Sequence, residues 1–523
     1  MRPRLHALLA SGGLTLALAA CASNAANMTS SGPDKPWAPN GNEQGLWSAQ
    51  SRPATAVPKT ANGAPDFGIP TNPALAEMPP TPDIDLARTY TLPELIDIAQ
   101  RNNPDTRAAW ERARQAALAV GMVEATYLPL ITANVIGGQQ QTQTPLPLPV
   151  GTQRYFNTTS SGVSPSIALQ WLVFDFGQRA AVADAAKQGA IAANVLFNGE
   201  HQKLIFDVSR TYYSYGAAVT RSRIARQALG NSIAIRAAAE DRMSRGLATT
   251  VEVAQARQAV AQAELRRVLA EGEERDAYQA LIAAMGITAT LPLKIATAEK
   301  RRLPDAVNLP LDSMIQLALS RRPDVAASYS AVKAGKAGIK AAEAEFLPKV
   351  FVAGAVASAQ GNFNATGLPT IGQQATGMGV LVGATVPLYD AGLRAAQLKQ
   401  AKSRAAAAES DFRRTQTLAV TEIVGASNTL RTALQSYKAA SALVSAASIT
   451  YDAALEAYRN GVGTVTAATA ADSDLIDARQ AQADAHAAAL IAASNLAFVV
   501  GAMTSAEGGP ALPPSSAPQP LRP

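Results

Sequence analysis

Cysteine occurs once in 523 residues, at Cys21, so no intrachain disulfide can brace the fold. Aromatic residues make up 5% of the chain and alanine dominates a 48% apolar fraction. That is thin filling for a wide globular core, and it suits narrow helix packing better. Of 3 histidines only His201 and His486 lie beyond the N-terminal leader. They are not at ligand spacing, which argues against a metal centre, and in helical segments they read as exposed polar side chains. No P-loop and no nucleophile elbow occurs, and the glycines of "GMGVLVG" at 377–383 have the wrong spacing to cradle a phosphate. The inventory is that of a non-enzyme without a cofactor. The net charge of +6 falls to +4 once Arg2 and Arg4 leave with a leader, too mild an excess for a nucleic-acid partner. Past the leader, Arg, Gln, Asp and Glu interrupt every apolar run that could form a transmembrane helix.

What the chain does have begins with a leader. Residues 1–20 join a basic start to an apolar stretch from Leu14 to Ala20, the pattern of a secretory signal peptide. The leader ends in "LAAC", similar to the lipobox of bacterial lipoproteins, in which the cysteine thiol is acylated, here Cys21. The alternative is an incidental cysteine beside a plain cleavage site. Ala22 follows in place of aspartate, which in lipoproteins implies delivery to the outer membrane. Residues 21–89 are rich in Pro, Ser, Asn and Gly and read as a lipidated, extended linker, and 504–523 as a similar tail.

Between these ends one unit occurs twice, at 90–300 and 301–503. Pro104 and Pro323 differ by 219, as do Pro129 of "YLP" and Pro348 of "FLP". Gly177 of "FDFG" and Gly392 of "YDAG" differ by 215, as do Gly246 and Gly461, and Gly286 and Gly501. The four-residue slip falls between the second proline and the DxG glycine, as in a surface loop. That segment alone alternates like strand, at about 130–174 and about 349–388. Ile131, Ala133 and Val135 face Ile167, Leu169 and Trp171, and Val350, Val352 and Val356 are followed by Val380, Val382 and Ala384. The pattern predicts hairpins with arms of about ten residues, enough to cross a bilayer as tilted strands. Periodicity alone also fits a soluble two-hairpin sheet.

The remainder of each unit reads as long helix. No proline occurs from Ser166 to Leu291 or from Leu388 to Gly509. Gly177 to Gly246 and Gly392 to Gly461 each span 69 positions, on the order of 100 Å as helix at ~1.5 Å per residue. Gly246 and Gly461 are placed as left-handed terminators. Thr249 three before Glu252 forms a capping box for the returning helix, and Thr469 three before Asp472 a weaker one. Four strands cannot close a barrel and an open edge cannot sit in lipid, so several copies must pool their strands.

The tandem unit, the "YLP" and "FLP" starts, the "DFG" and "DAG" exits, and "RGLATTVEVAQAR" at 245–257 together resemble the TolC-type outer-membrane efflux and secretion channels over about residues 90–503. The resemblance implies an α+β membrane protein: a homotrimer whose 12-stranded outer-membrane β-barrel is continuous with a periplasmic α-helical barrel. It also implies outer-membrane lipid as surroundings, and docking to a periplasmic adaptor and an inner-membrane RND or ABC transporter. It places Gly246 and Gly461 at the periplasmic tip. Glu252 matches an acid that helps hold that tip closed, and Asp472 an acid lining the constriction. The position often occupied by a gate-clasping basic residue is Val465 here. Glu252 as a plain capping carboxylate is an equal reading. The rival class is a lipid-anchored periplasmic coiled-coil adaptor, against which the duplicated strand hairpin speaks.

Overall fold

The computed structural model describes residues 33, 76, 82–150, 153–298, 301–304, 310–365 and 368–503. The signal peptide, Cys21, nearly all of the linker and the tail from 504 lie outside the described residues. The chain divides into two units after residue 81, and both repeats belong to the second unit, from Pro82 onward.

Each repeat runs short helix, helix, strand hairpin, long helix, returning helix. In the first these are α1 (Leu92–Asn102), α2 (Pro104–Ala125), β2 (Leu130–Val150), β3 (Gln153–Phe174), α3 (Gln178–Ser244) and α4 (Thr250–Ala284). In the second they are α5 (Leu311–Arg321), α6 (Pro323–Ala344), β5 (Lys349–Ala365), β6 (Ile371–Thr385), α7 (Leu393–Arg459) and α8 (Val465–Val499). Two-residue strands β1 (Thr89–Tyr90) and β4 (Lys294–Ile295) pair in parallel across the first repeat. Both long helices have 67 residues and both returning helices 35, so the duplication holds to the residue in the helical part.

Pro104 and Pro323 each open a helix at its first turn, where a missing N–H is harmless. The long helices pack along their length. Helix α3 touches α2 and α4 of its own repeat and α6 and α8 of the other, while α7 touches α6 and α8. The apolar core is repeated as well. Leu95, Ala99, Val208, Leu281 and Met285 are buried together in the first repeat, and their equivalents Met314, Ala318, Ile423, Leu496 and Val500 in the second.

Four strands form one antiparallel sheet in the order β2-β3-β5-β6. The arms have 21, 22, 17 and 15 residues, longer than the expected ten. Much of the extra length is "GGQQQTQT" and its partners, where Gly, Gln, Thr, Ser and Asn predominate. Such a stretch pairs through its backbone like any strand but gives no hydrophobic period to read.

Candidate functional site

The sheet has two chemically different faces, and its register defines them. Because side chains alternate and paired residues share a face, one row of pairs fixes the whole surface. Ile131 pairs with Leu169, Leu169 with Gly354, and Gly354 with Val380. On that face also stand Ala133, Val135, Ile167, Trp171, Val352, Val356, Met378 and Val382, and Met378, Val380 and Val382 are 72% exposed or more. The opposite face is mixed: it carries Thr132, Asn134, Ser164, Ser166 and Gln170, then Ala353, Ala355, Gly377 and Gly379, but also Leu130, Ile136, Leu172, Phe351 and Leu381. One face is thus apolar and exposed, and the other holds most of the small and polar residues of these rows.

Each hairpin is joined to its long helix by an aspartate–arginine clamp that hydrophobic periodicity does not reveal. The chain leaves β3 through Phe176 (φ 52°) and Gly177 (φ 89°), and β6 through Ala391 (φ 53°) and Gly392 (φ 86°). Two successive left-handed residues make an abrupt corner, strained at the non-glycine position. Asp175 holds it: Oδ1 accepts from the Gly177 amide at 3.3 Å, and Oδ2 from the Arg179 amide at 3.0 Å and its Nε at 2.8 Å. Asp390 does the same for Gly392 at 3.1 Å and for Arg394 at 3.0 and 2.6 Å. Each arginine also lies over the aromatic residue that precedes its hairpin, Arg179 over Tyr127 at 4.7 Å and Arg394 over Phe346 at 5.5 Å. Entrance and exit of each hairpin are thereby tied together. Burial pushes the Asp175 carboxyl up, but the bonds and charge of Arg179 outweigh it and hold the carboxyl below its ordinary range. A signal for the clamp exists in the sequence, since DxGxR occurs at 175–179 and again at 390–394.

At the other end of the long helices, Gly246 and Gly461 have φ of +74° and +81°, as expected of left-handed terminators. Leu247 N–H donates to Arg242 O and Val462 N–H to Ala457 O, closing the last turns. Thr249 caps α4, its hydroxyl accepting from the Glu252 amide at 3.3 Å, and Glu252 itself is half-buried. The second cap is not formed by Thr469 and Asp472, as their spacing suggests. Helix α8 starts at Val465 with Thr464 as its cap, accepting from the Ala467 amide at 3.2 Å. Thr469 lies inside that helix and donates back to Val465 O. The repeat offset of 215 that relates Gly246 to Gly461 carries Thr249 onto Thr464, and it is the signal that finds the cap.

Asp472 is therefore no cap. It is 4% exposed and accepts a 2.8 Å hydrogen bond from Asn231 of α3, so it ties the second tip hairpin to the first long helix. Burial raises its carboxyl despite that bond and the nearby Arg479 and Arg266. Arg242 makes a second tie, donating to Tyr458 O at 2.8 Å and to Leu247 O at 3.2 Å, with its guanidinium 5.1 Å from the ring centroid of buried Tyr458. Val465 is buried against this group. The histidines are more engaged than expected: His201 meets Phe197 edge-on at 4.8 Å, and His486 Nε2 is 2.7 Å from Arg301 O. Among the described residues no His, Cys, Asp and Glu cluster could hold a metal, and no helix is long and apolar enough to cross a membrane.

The pattern of the family described as outer membrane efflux protein matches residues 95–287 and 314–502, one match to each repeat. Outer membrane protein OprJ of Pseudomonas aeruginosa is 26% identical over 345 residues, which is 65% of this chain and 70% of that protein. The pyoverdine export outer membrane protein OpmQ of Pseudomonas putida is 27% identical over 306 residues, 57% of this chain and 63% of its own length. A solved membrane protein from Pseudomonas aeruginosa shares the fold at a TM-score of 0.66 and 24% identity, covering 78% of this chain and 93% of that one.

Proposed function

The chain belongs to the outer membrane efflux proteins and is a non-enzymatic exit duct of an efflux or secretion system, and we propose that it works as a homotrimer closing one 12-stranded barrel. The observation that carries the trimer is the pair of open edges. β2 and β6 each have one side without a strand partner among the described residues, and an unpaired edge facing lipid leaves its backbone N–H and C=O groups unsatisfied. Copies set edge to edge satisfy both at once. The number three comes from the family resemblance.

The apolar row from Ile131 to Val382 faces outer-membrane lipid and the small, polar row lines the lumen. Cys21 is the lipid attachment point, and the tip turns at Gly246 and Gly461 meet a periplasmic adaptor that delivers cargo from an inner-membrane RND or ABC transporter. Glu252 is the accessible acid of the tip gate. Asp472 is held inside the protomer by Asn231 and comes to the opening only when the hairpins of the tip separate. The purified full-length chain, reconstituted in a planar bilayer, should give discrete conductance steps, and native mass spectrometry should find three copies per particle. A monomer that makes no pore sinks this reading. Cys21→Ser should abolish acylation and leave membrane-inserted trimer, because a closed barrel is a stronger hold than an acyl chain.

A further inference from the structure

The lumen row of the sheet carries charge of only one sign. Between Glu124 and Asp175 the sequence has one charged side chain, Arg154, and between Lys349 and Asp390 it has none. Strand parity places both basic residues on the small, polar face. Arg154 follows the alternation of β3 with Phe156 and Thr158, which pair with Thr144 and Thr142, in phase with Thr132; it stands at the register shift beyond Pro145. Lys349 is in phase with Phe351, Ala353 and Ala355, which pair with Gly383, Leu381 and Gly379.

Arg154 is exposed near the far end of the β2–β3 hairpin, and Lys349 is the first residue of β5, at the helix end of the sheet. Two carboxylates at the helix end are paired with cations, and a third bonds a neutral amide, which offsets no charge. Asp175 is bound to Arg179, Asp390 to Arg394, and Glu345 accepts from Gln178 at 3.2 Å. Along the lumen face between these two levels the register rows contain no acid.

We propose that the β-section of the duct is an anion-favouring filter whose charge-selective residues are Lys349 at its inner end and Arg154 at its outer rim. The inference rests on the duct reading, since pooled copies turn each residue into a ring. Fixed charge of one sign on a wall backed by lipid concentrates counter-ions, because low-dielectric walls focus the field into the water-filled lumen. The solutes favoured are those bearing carboxylate, phosphate or sulfonate groups. The uncharged Gln, Thr, Ser and Asn side chains between the rings offer hydrogen bonds without opposing that preference.

The test uses the full-length wild-type chain, Arg154→Gln, Lys349→Gln and the double variant in planar bilayers, with inositol hexakisphosphate as the polyanionic probe. In wild type the probe added on the barrel side should block current. Arg154→Gln should weaken that block about tenfold, and the double variant should also shift the reversal potential in a KCl gradient toward cations. Arg154→Lys should retain the block, and Arg154→Glu should replace it with block by multivalent cations. SDS-resistant trimer in each variant shows that assembly is intact. Conducting variants with block and reversal potential equal to wild type overturn the filter and leave the duct standing. A wild-type chain that conducts nothing overturns the duct, and the filter with it.

Discussion

The two repeats have equal helices but unequal cover, and the difference locates what is missing around one chain. Helix α6 has seven buried residues and its counterpart α2 three. Helix α8 has fifteen and α4 six. The long helices reverse the order, with seventeen buried in α3 and ten in α7. All three contrasts have one geometric cause. α3 is packed by its own repeat and by α6 and α8 of the next, whereas α7 packs along α6 and α8 of its own repeat and meets the first repeat at the tip, where Arg242 donates to Tyr458 O. On the trimer proposal, the repeat offset would set an α2 and an α4 of another copy against α7, and these are the helices left uncovered, with Trp110, Leu118 and Met122 of α2 between 43% and 68% exposed. A second copy placed as the second repeat sits on the first supplies them, and the same step joins β6 to β2.

The joint between repeats can also be repeated arithmetically, and the largest expected effect comes from there. Leu169 pairs with Gly354. Moving Leu169 forward by 215 gives Ala384, and moving Gly354 back by 219 gives Val135. In a Cys21→Ser background, Val135→Cys with Ala384→Cys should therefore oxidise to a covalent trimer on a denaturing gel, all or none, while either cysteine alone should not. Free monomer after oxidation of the pair breaks the equivalence of the joint within a chain and the joint between chains.

The clamps sharpen the comparison at the next level. The Asp175 and Arg179 side chains are 7% and 11% exposed, whereas Asp390 is 26% exposed beside Arg394 at 12%. Removing one partner of a buried pair leaves the other charge unsatisfied, so Arg179→Ala should cost about 3–5 kcal/mol. Arg394→Ala should cost less, because water reaches Asp390. Thermal dissociation of the SDS-resistant trimer measures both. Since the folded Asp175 carboxyl lies below its unfolded value, the clamp stabilises fully above about pH 4 and its contribution is lost as pH falls through the folded pKa. Arg179→Ala should accordingly narrow its deficit on acidification.

How much of the molecule is legible in the sequence depends on which interactions are local. The repeat, the helix lengths and the left-handed Gly246 and Gly461 are properties of short segments, and the sequence states them directly. The strand ends are hidden because Gln139 to Thr144 have no apolar residue to mark an inward face. Asp472 is misplaced by spacing alone because its partner Asn231 lies 241 residues away, in another helix. Contacts of that range leave no trace in local spacing. The Asp175–Arg179 clamp is legible but easily passed over: its spacing is four residues, and only its recurrence at Asp390–Arg394 lifts it above a chance ion pair. Even equivalent positions can change chemistry. Asn103 donates to Ala284 O at 3.3 Å, and its equivalent Arg322 donates to Val499 O at 3.1 Å, while also holding Asp324 and Glu422.

Asp472 has no acidic equivalent in the first repeat, where the offset position is Arg257. Its carboxyl is raised by burial, the opposite sign to Asp175. A raised folded value means that the folded state resists ionisation, so stability declines as pH rises above the unfolded carboxylate value toward the folded one. Asp472→Asn removes that penalty and can still bond Asn231. The variant tip should melt at a higher temperature than wild type at pH 7, and the difference should vanish near pH 4. A variant less stable at both pH values would show that Asp472 is ionised and favourably held.

The smallest effect concerns the two helix caps, whose geometry is alike in both repeats. Thr249 and Thr464 accept from the amides three residues on at 3.3 and 3.2 Å, and each follows a left-handed glycine by three positions. What differs is the third residue of the helix, Glu252 in one and Ala467 in the other. If Glu252 serves its helix as a capping carboxylate, Thr249→Ala should be cushioned by the acid's interaction with the helix dipole and cost less than Thr464→Ala. If Glu252 is committed to the gate, the two substitutions should cost the same, about 1 kcal/mol each. Glu252→Gln separates the readings on a second axis: a gate acid changes the ion preference of the resting channel, while a capping acid changes only the melting of α4. Equal threonine costs with a shifted ion preference assign Glu252 to the gate, and unequal costs with unchanged preference return it to the cap.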